Sequence, residues 1–141
     1  MNKNLIYLFL LFLSQLKANR PPPLIFAIHE HELIADADFQ AYEKDIKDAL
    51  EMLRTCIPGL LHASHLKGIK GERIHKYAIL WIFANKQALE DNFDTPDKPK
   101  WPFEWLYYEN HILAKYLTCH PDMINFTDYS VINSSNFEDF L

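Results

Sequence analysis

The hydrophobic positions of this chain alternate between two periods, one typical of strands and one typical of helices. Residues Leu24 to Leu33 alternate, which predicts a strand with its odd-numbered residues on one face and its even-numbered residues on the other. After a candidate N-cap at Asp36 or Asp38, apolar residues recur at helical spacing: Phe39, Tyr42, Ile46, Ala49, Leu50 and Leu53. The pattern therefore predicts a strand followed by an amphipathic helix.

The rest of the chain predicts three more strands and two more helices. Pro58-Gly59 ends the first helix, a strand covers residues 60–67, and a glycine-bounded hairpin loop leads into a strand from about His75 to Ala84. A second helix, capped by Asn85, ends at Asn92. A third helix runs from Phe103 to Leu117, and the last strand covers Met123 to Ile132. The order β-α-β-β-α-α-β predicts an α+β, ferredoxin-like antiparallel sheet with helices on one face.

The third predicted strand is apolar on both of its faces. Tyr77, Ile79, Trp81 and Phe83 share one face, and Ala78, Leu80 and Ile82 share the other. An antiparallel strand with one solvent-exposed face should alternate between apolar and polar residues instead. Helices can cover one face, so we expect the second to be covered by a partner's sheet in a homodimer. The alternative is a monomer whose tail folds over that face.

The stretch from Cys56 to Phe93 resembles the middle of the antibiotic-biosynthesis-monooxygenase superfamily. It carries Pro58-Gly59, a short strand, a glycine-bounded turn, the long apolar strand 77–84 and the helix after Asn85. The resemblance extends over about residues 24–132. It implies a ferredoxin-like βαββααβ domain that pairs with a second copy as a dimeric α/β barrel.

The first residues suggest export from the cytoplasm. A short basic segment precedes the apolar run from Leu5 to Leu13, and the small residue Ala18 suits signal-peptidase cleavage. The run is shorter than the about 20 residues that a transmembrane helix needs, so no stable membrane span is expected after the signal is removed. A buried N-terminal strand or helix is the alternative. We expect a signal peptide over 1–18, a proline-rich linker over 19–23, one domain over 24–132 and a flexible acidic tail over 133–141.

The charge of the chain disfavours nucleic acid as a partner. Removal of Lys3 and Lys17 with the signal leaves twelve basic residues against nineteen acidic ones, so the net charge moves from −5 to −7. No basic stripe remains to neutralise phosphates.

The two cysteines, Cys56 and Cys119, are expected to be free and largely buried. A disulfide is the first expectation for an exported chain. In the predicted fold, however, each cysteine closes one of two antiparallel helices. Their separation would then exceed the Cα distance of about 4.4–6.8 Å that a disulfide requires.

His29 and His31 are the sharpest local signal for metal binding. Residues two apart on a strand project to the same side, so both imidazoles can reach one transition-metal ion. A metal site would need a third ligand, and the pool is His62, His65, His75, His111 and Glu30. The alternative is that His29 and His31 are polar residues at the mouth of the barrel.

The resemblance also implies a pocket between the sheet and its helices. In the cofactor-free monooxygenases of the superfamily, an apolar pocket holds an activated aromatic substrate beside a proton acceptor. Here Trp81, Phe83, Trp105, Tyr108 and His111 would build that pocket, with His111 and Trp81 in catalytic roles and His29 and His31 as ligand contacts at its mouth. The alternative is that these aromatic residues form the core.

The haem-degrading branch of the superfamily implies a second role for the same residues. His111 would bind haem iron, and Trp81 would distort the porphyrin although it falls two residues before the usual position, where Phe83 stands. The strand-one asparagine of that branch is missing here. No cofactor is certain, with haem or a transition metal as the candidates.

The sequence therefore supports two classes of function. The first is an exported domain that binds a small aromatic or planar hydrophobic ligand, with cofactor-free monooxygenase activity as the candidate chemistry. The second is a non-catalytic dimer that binds a ligand, a metal ion or haem.

Overall fold

The computed structural model of the chain describes residues 22–93 and 102–133. The expected signal peptide and most of the expected proline-rich linker and acidic tail lie outside these residues. The four strands are β1 (Ile25–His31), β2 (Leu60–Lys67), β3 (Tyr77–Phe83) and β4 (Phe126–Ser130). The helices are α1 (Phe39–Cys56), α2 (Lys86–Phe93) and α3 (Phe103–Tyr107).

The strands form one antiparallel sheet in the order β2-β3-β1-β4. His31 of β1 lies opposite Tyr77 of β3, and Ala63 of β2 lies opposite Trp81 of the same strand. The order and the helices confirm the predicted α+β ferredoxin-like fold.

The helices begin where side chains can satisfy their free backbone donors. The Asp38 carboxylate accepts hydrogen bonds from the Gln40 and Ala41 amides, each at 3.0 Å, and so caps α1. The Asn85 side chain accepts a bond from the Ala88 amide at 2.9 Å and caps α2. Both predicted caps are therefore confirmed, with Asp38 rather than Asp36 in the first.

One hydrophobic core lies between the sheet and the helices. The α1 stripe of Tyr42, Ile46, Ala49, Leu50 and Leu53 is buried, as its spacing predicted. It packs in the same cluster as the odd-numbered residues of β3, namely Tyr77, Ile79, Trp81 and Phe83.

The opposite face of the sheet is also apolar. Phe26 of β1 lies opposite Ile82 of β3, and Ile28 lies opposite Leu80. Phe26, Ile28 and Leu80 are only partly buried, and Tyr129 of β4, opposite Phe26, is 55% exposed. Ile82 is buried but lies outside the core cluster.

Several boundaries differ from the predicted ones, and β1 covers Ile25–His31 rather than Leu24 to Leu33. The expected helix from Phe103 to Leu117 winds as α3, then as a π-helical turn over Tyr108–Ile112 and a 3₁₀ turn over Leu113–Lys115. The expected strand from Met123 to Ile132 is shorter, because a 3₁₀ turn holds Pro121–Met123 before β4 begins. Strand β3 starts at Tyr77 rather than His75.

The cysteines were predicted free and largely buried. Both are free, but the prediction of burial was wrong, since Cys56 and Cys119 are exposed. Cys56 is the last residue of α1, and its side chain is exposed there although its spacing from Ala49 and Leu53 continues the buried stripe.

Candidate ligand site

A cavity of about 240 Å³ opens where β1 ends and β3 begins. We call it the His31 cavity. Because β1 and β3 are antiparallel, the end of one strand meets the start of the other, and His31 stands opposite Tyr77. The wall consists of His31, Leu33, Ile34, Ala35, Phe39, His75, Lys76 and Tyr77.

The loop between β2 and β3 forms one wall of the cavity. The His75 amide donates to the Gly68 carbonyl at 2.8 Å, and the Gly68 amide donates to the Lys76 carbonyl at 2.8 Å. His75 has a φ of 64°, which is uncommon for a residue other than glycine. A Cβ at Gly68 would lie 1.7 Å from the Arg73 carbonyl oxygen, so only glycine fits there. The loop therefore holds His75 and Lys76 at the cavity through a tight backbone arrangement.

Behind the cavity, one tyrosine hydroxyl joins two histidines from different strands. The hydroxyl oxygen of Tyr42 in α1 lies 2.7 Å from Nδ1 of His31 and 3.1 Å from Nε2 of His65. Tyr42 and His31 are almost completely buried, and His65 is half-buried. His65 also stacks on Tyr77, with ring centroids 5.2 Å apart. The helix-facing side of the sheet therefore carries a polar group of three residues inside an apolar core.

Burial keeps this group uncharged near neutral pH. The pKa of His31 is lowered to about 3 because burial disfavours the imidazolium, and the nearby His29, His65 and Arg73 act in the same direction. Burial also lowers the pKa of His65 and raises that of Tyr42. The group therefore offers neutral hydrogen-bond donors and acceptors.

The outer rim of the cavity is charged and internally paired. Arg73 Nη1 lies 2.5 Å from a Glu32 carboxylate oxygen, and Lys76 Nζ lies 2.9 Å from the other. These hydrogen bonds, from Lys76 first and then Arg73, lower the pKa of Glu32. Nearby, the Tyr77 hydroxyl donates to Glu43 at 2.6 Å. The pairs fix the side chains that surround the opening.

The predicted pocket aromatics pack on one another in the core. Trp81 lies with its ring centroid 5.1 Å from that of Trp105 and 5.9 Å from that of Tyr108. These three residues and Phe83 are at most 2% exposed. The Tyr108 hydroxyl is buried and has no hydrogen-bond partner among the described residues. The arrangement is the one that the core interpretation of these residues anticipated.

Neither of the two cavities formed by the described residues brings His111 and Trp81, the predicted catalytic pair, together. His111 is exposed on the π-helical turn, where its ring lies 5.0 Å from that of Tyr107. A second cavity of about 250 Å³ lies between α1 and this helical segment, lined by Asp45, Asp48, Ala49, Met52, Tyr107, Ile112 and Lys115. Neither this cavity nor the His31 cavity is lined by His111 or Trp81.

The two strand histidines predicted as ligand or metal contacts have different surroundings. His29 packs against Trp81 and Phe126, with centroid distances of 6.2 and 5.9 Å, and burial lowers its pKa to about 4. His31 contacts Tyr42 and lines the cavity. Within residues 22–93 and 102–133, no group of three or more His, Cys, Asp or Glu side chains is arranged to hold a metal ion. The described residues thus supply no third ligand for His29 and His31.

Sequence reasoning missed the partners of His31. The spacing of α1 places Tyr42 in its apolar stripe, and the sequence offers His65 only as one of several possible third ligands for a metal ion at His29 and His31. The strand register places His65 opposite Ile79, and His62 opposite Ile82 on the other face. The sequence did carry a signal for this group. His62 and His65 are three residues apart on one strand and so face opposite sides of the sheet, and Tyr42 places a hydroxyl group within an apolar helical stripe.

Solved structures of similar fold place this architecture among known proteins. A candidate antibiotic biosynthesis monooxygenase from Caulobacter crescentus is 13% identical, with a TM-score of 0.55 over 84% of this chain and 99% of its own. A dimeric ferredoxin-like protein of unknown function from Jannaschia is 20% identical, with a TM-score of 0.55 over 77% and 99%. A dimeric protein of unknown function with a ferredoxin-like fold from Bacteroides fragilis is 16% identical, with the same TM-score over 77% and 96%.

No protein-family model matches the chain, and no curated protein matches it. Among the described residues, no helix has both the length and the apolar character needed to cross a bilayer. At these identities the structural likeness concerns the fold: the chain has an antibiotic-biosynthesis-monooxygenase-like, ferredoxin-like fold, as its sequence predicted.

Proposed function

We propose that this chain is a homodimeric domain that binds a small planar hydrophobic molecule in the His31 cavity. The observation that carries the proposal is the combination of an apolar cavity wall with a buried polar group directly behind it. Binding sites for small molecules typically combine apolar surface with a few well-placed polar groups. Phe39, Leu33 and Tyr77 supply the apolar surface here, and His31 supplies the polar contact.

The size of the cavity limits the ligand. At about 240 Å³ it lies just below the range of about 300–1,000 Å³ that is usual for ligand sites. Phe39 and Tyr77 stack with centroids 6.4 Å apart along this wall, which favours a flat ligand. A single aromatic ring with one polar substituent fits these features.

The homodimer is supported by the open apolar face of the sheet. Phe26, Ile28 and Leu80 lie on the side away from the core, and burying them against a second copy would remove apolar surface from water. Two of the similar structures are described as dimeric. A self-complementary contact of this face is the simplest arrangement that covers it.

Ligand binding is tested by calorimetric titration of small phenols and their hydroxyl-free analogues into the protein. Ala35→Trp should fill the cavity and abolish binding, because Ala35 lines it. Ala114→Trp is the matched control, since Ala114 is exposed and lines neither described cavity. Equal binding by both variants would place the ligand elsewhere and overturn the proposal.

Cofactor-free oxygenase activity is a second candidate for the same cavity. A neutral histidine beside an apolar wall supports proton abstraction from an activated aromatic substrate, after which the carbanion would react with dioxygen. A similar structure is described as a candidate monooxygenase. The test is oxygen uptake with dihydroxyaromatic substrates, which should be lost in Ala35→Trp and kept in Ala114→Trp. Uptake that is equal in both variants would contradict this activity at the cavity.

We also propose that the domain acts outside the cytoplasm after cleavage following Ala18. The basic start and the apolar run that follows support this. N-terminal sequencing of the exported protein should begin at Asn19. Recovery of the uncleaved chain in the cytoplasm would contradict it.

A further inference from the structure

We propose that His31, Tyr42 and His65 form a proton relay, which takes the proton of a weakly acidic hydroxyl group on a ligand in the His31 cavity and delivers it to His65. The proposal rests on the cavity being the ligand site. It adds a ligand class, small phenols and enols, and it assigns positioning roles to Tyr42 and His65.

The hydrogen-bond geometry fixes how the three side chains can share protons. Tyr42 has one O–H to donate and lone pairs to accept, and it lies within hydrogen-bond distance of one nitrogen of each ring. It can therefore donate to one histidine only and must accept from the other. When it donates to His65 Nε2, His31 carries its proton on Nδ1, and Nε2 of His31 keeps a free lone pair.

That lone pair is the one available to a ligand. His31 lines the cavity, and its Nδ1 is already engaged by Tyr42. Among residues 22–93 and 102–133, Nε2 of the same ring has no hydrogen-bond partner. A hydroxyl group in the cavity can donate to it without displacing any existing contact.

The proton transfer balances over three hydrogen bonds. The ligand O–H breaks as an N–H forms at His31 Nε2, and the Nδ1–H of His31 passes to the Tyr42 oxygen. The original Tyr42 proton passes to Nε2 of His65. The products are a ligand oxyanion and a His65 imidazolium, while His31 and Tyr42 end neutral.

The surroundings favour a positive charge on His65 over one on His31. His31 is almost completely buried, and His29, His65 and Arg73 all disfavour its protonation. His65 is half-buried and contacts Tyr42 and Tyr77, and its charged neighbours are Glu43, which favours protonation, and Lys67, which opposes it. The relay therefore leaves the positive charge on His65, which has a carboxylate and solvent nearby, and not on the buried ring of His31.

The cavity can also accommodate the oxyanion that remains. After the transfer the new Nε2–H of His31 donates a hydrogen bond to the oxyanion, and Lys76, which pairs with Glu32 at 2.9 Å, lies in the wall of the same cavity. A flat ring beside Phe39 and Tyr77 with its oxygen towards His31 satisfies both the apolar and the polar parts of the wall.

The relay is tested with 4-nitrophenol, whose phenolate absorbs visible light while the neutral phenol does not. Wild type, Tyr42→Phe, His65→Gln and His62→Gln are each titrated with the probe, and the ionised fraction of the bound probe is followed against pH. His62 is the matched control, because it lies on the same strand but on the opposite face, bonded to Ser64 at 2.6 Å. Gln at position 65 keeps a hydrogen bond to Tyr42 but cannot hold the proton.

We expect Tyr42→Phe and His65→Gln to bind the probe but to ionise it less. The acid dissociation constant of the bound probe should fall by about tenfold, so that its pKa rises by about one unit. His62→Gln should behave as wild type. Binding with the same ionisation in all four proteins would overturn the relay and leave the cavity as the ligand site. Absence of binding, or binding that survives Ala35→Trp, would overturn the ligand site and the relay together.

Discussion

The Tyr42 hydroxyl oxygen and Nδ1 of His31 lie 2.7 Å apart in the interior of the domain, one on a helix and the other at the end of a strand. This hydrogen bond ties α1 to β1 where the His31 cavity opens. Buried polar groups must be paired to avoid a large desolvation cost, so the contact matters for stability as well as for any ligand.

Tyr42→Phe should destabilise the domain because it leaves His31 Nδ1 buried without its partner. The expected loss is about 1–3 kcal/mol in the free energy of unfolding, measured by urea denaturation. Tyr107→Phe is the control: Tyr107 is 42% exposed, and its variant should change stability by less than about 0.5 kcal/mol. Equal effects at both positions would mean that the buried hydrogen bond contributes nothing specific.

Stability should fall as pH decreases from 6.5 towards 4.5. His29 and His31 have pKa values lowered to about 4 and about 3, against an ordinary value of 6.5. In this window the unfolded histidines bind protons and the folded ones do not, so acid favours unfolding. Each contributes a slope of up to about 1.4 kcal/mol per pH unit. His65, whose pKa burial also lowers, acts in the same direction, and carboxylates with a lowered pKa such as Glu32 add to the slope near the acid end of the window.

Urea denaturation across that window measures the slope. His31→Gln should reduce the slope of the unfolding free energy against pH by the contribution of one histidine, and His62→Gln should leave the slope unchanged. A slope that is the same in all three proteins would show that His31 is protonated as readily in the folded state as in the unfolded one.

Gly68→Ala should cost far more stability than Gly71→Ala. A Cβ at Gly68 would collide with the Arg73 carbonyl, whereas a Cβ at Gly71 meets nothing within 4 Å. Gly71 has a φ of 86°, so its substitution carries backbone strain of about 1–2 kcal/mol. At Gly68 the loop must move, and the cavity wall formed by His75 and Lys76 moves with it.

Two measurements separate these glycine variants. Urea denaturation should rank Gly68→Ala as the less stable, and calorimetry should show weaker phenol binding for this variant alone. If both alanines are tolerated equally, the loop does not depend on the close approach at Gly68.

Leu80→Glu should convert the proposed dimer into a monomer. The residue lies opposite Ile28 on the apolar face of the sheet, and a two-fold contact through this face would bury one unpaired glutamate from each copy in an apolar interface. Sedimentation velocity measures the mass, with Lys47→Glu on the exposed side of α1 as the control. A wild-type monomer, or a Leu80→Glu dimer, would contradict pairing through this face.

Much of the fold follows from the sequence because it depends on periodic burial. The stripe that includes Ile46 and Leu53 and the double-sided strand around Trp81 each have one consistent placement, and the sheet realises both. The predicted element boundaries were less accurate where the helix type changes while the hydrophobic spacing stays the same. The segment after Tyr107 keeps helical spacing but passes through π and 3₁₀ turns, which residue spacing alone does not distinguish.

The candidate site was only partly predictable. His31 could be found because its place near the end of a strand points to the barrel mouth. Tyr42 and His65 could not be connected to it, since their meeting depends on strand register and on how α1 crosses the sheet. Trp81 and Trp105 illustrate the opposite problem, because large aromatic residues suit a pocket and a core equally well, and here they pack together.

The most direct test of ligand binding at the His31 cavity is an NMR titration of protein labelled with ¹⁵N in its imidazole rings. Addition of a small phenol should shift the ring nitrogens of His31 and His65 and leave those of His62 unchanged, with the effect abolished by Ala35→Trp. Saturable binding that leaves His31 unshifted, or no binding at all, would contradict the account.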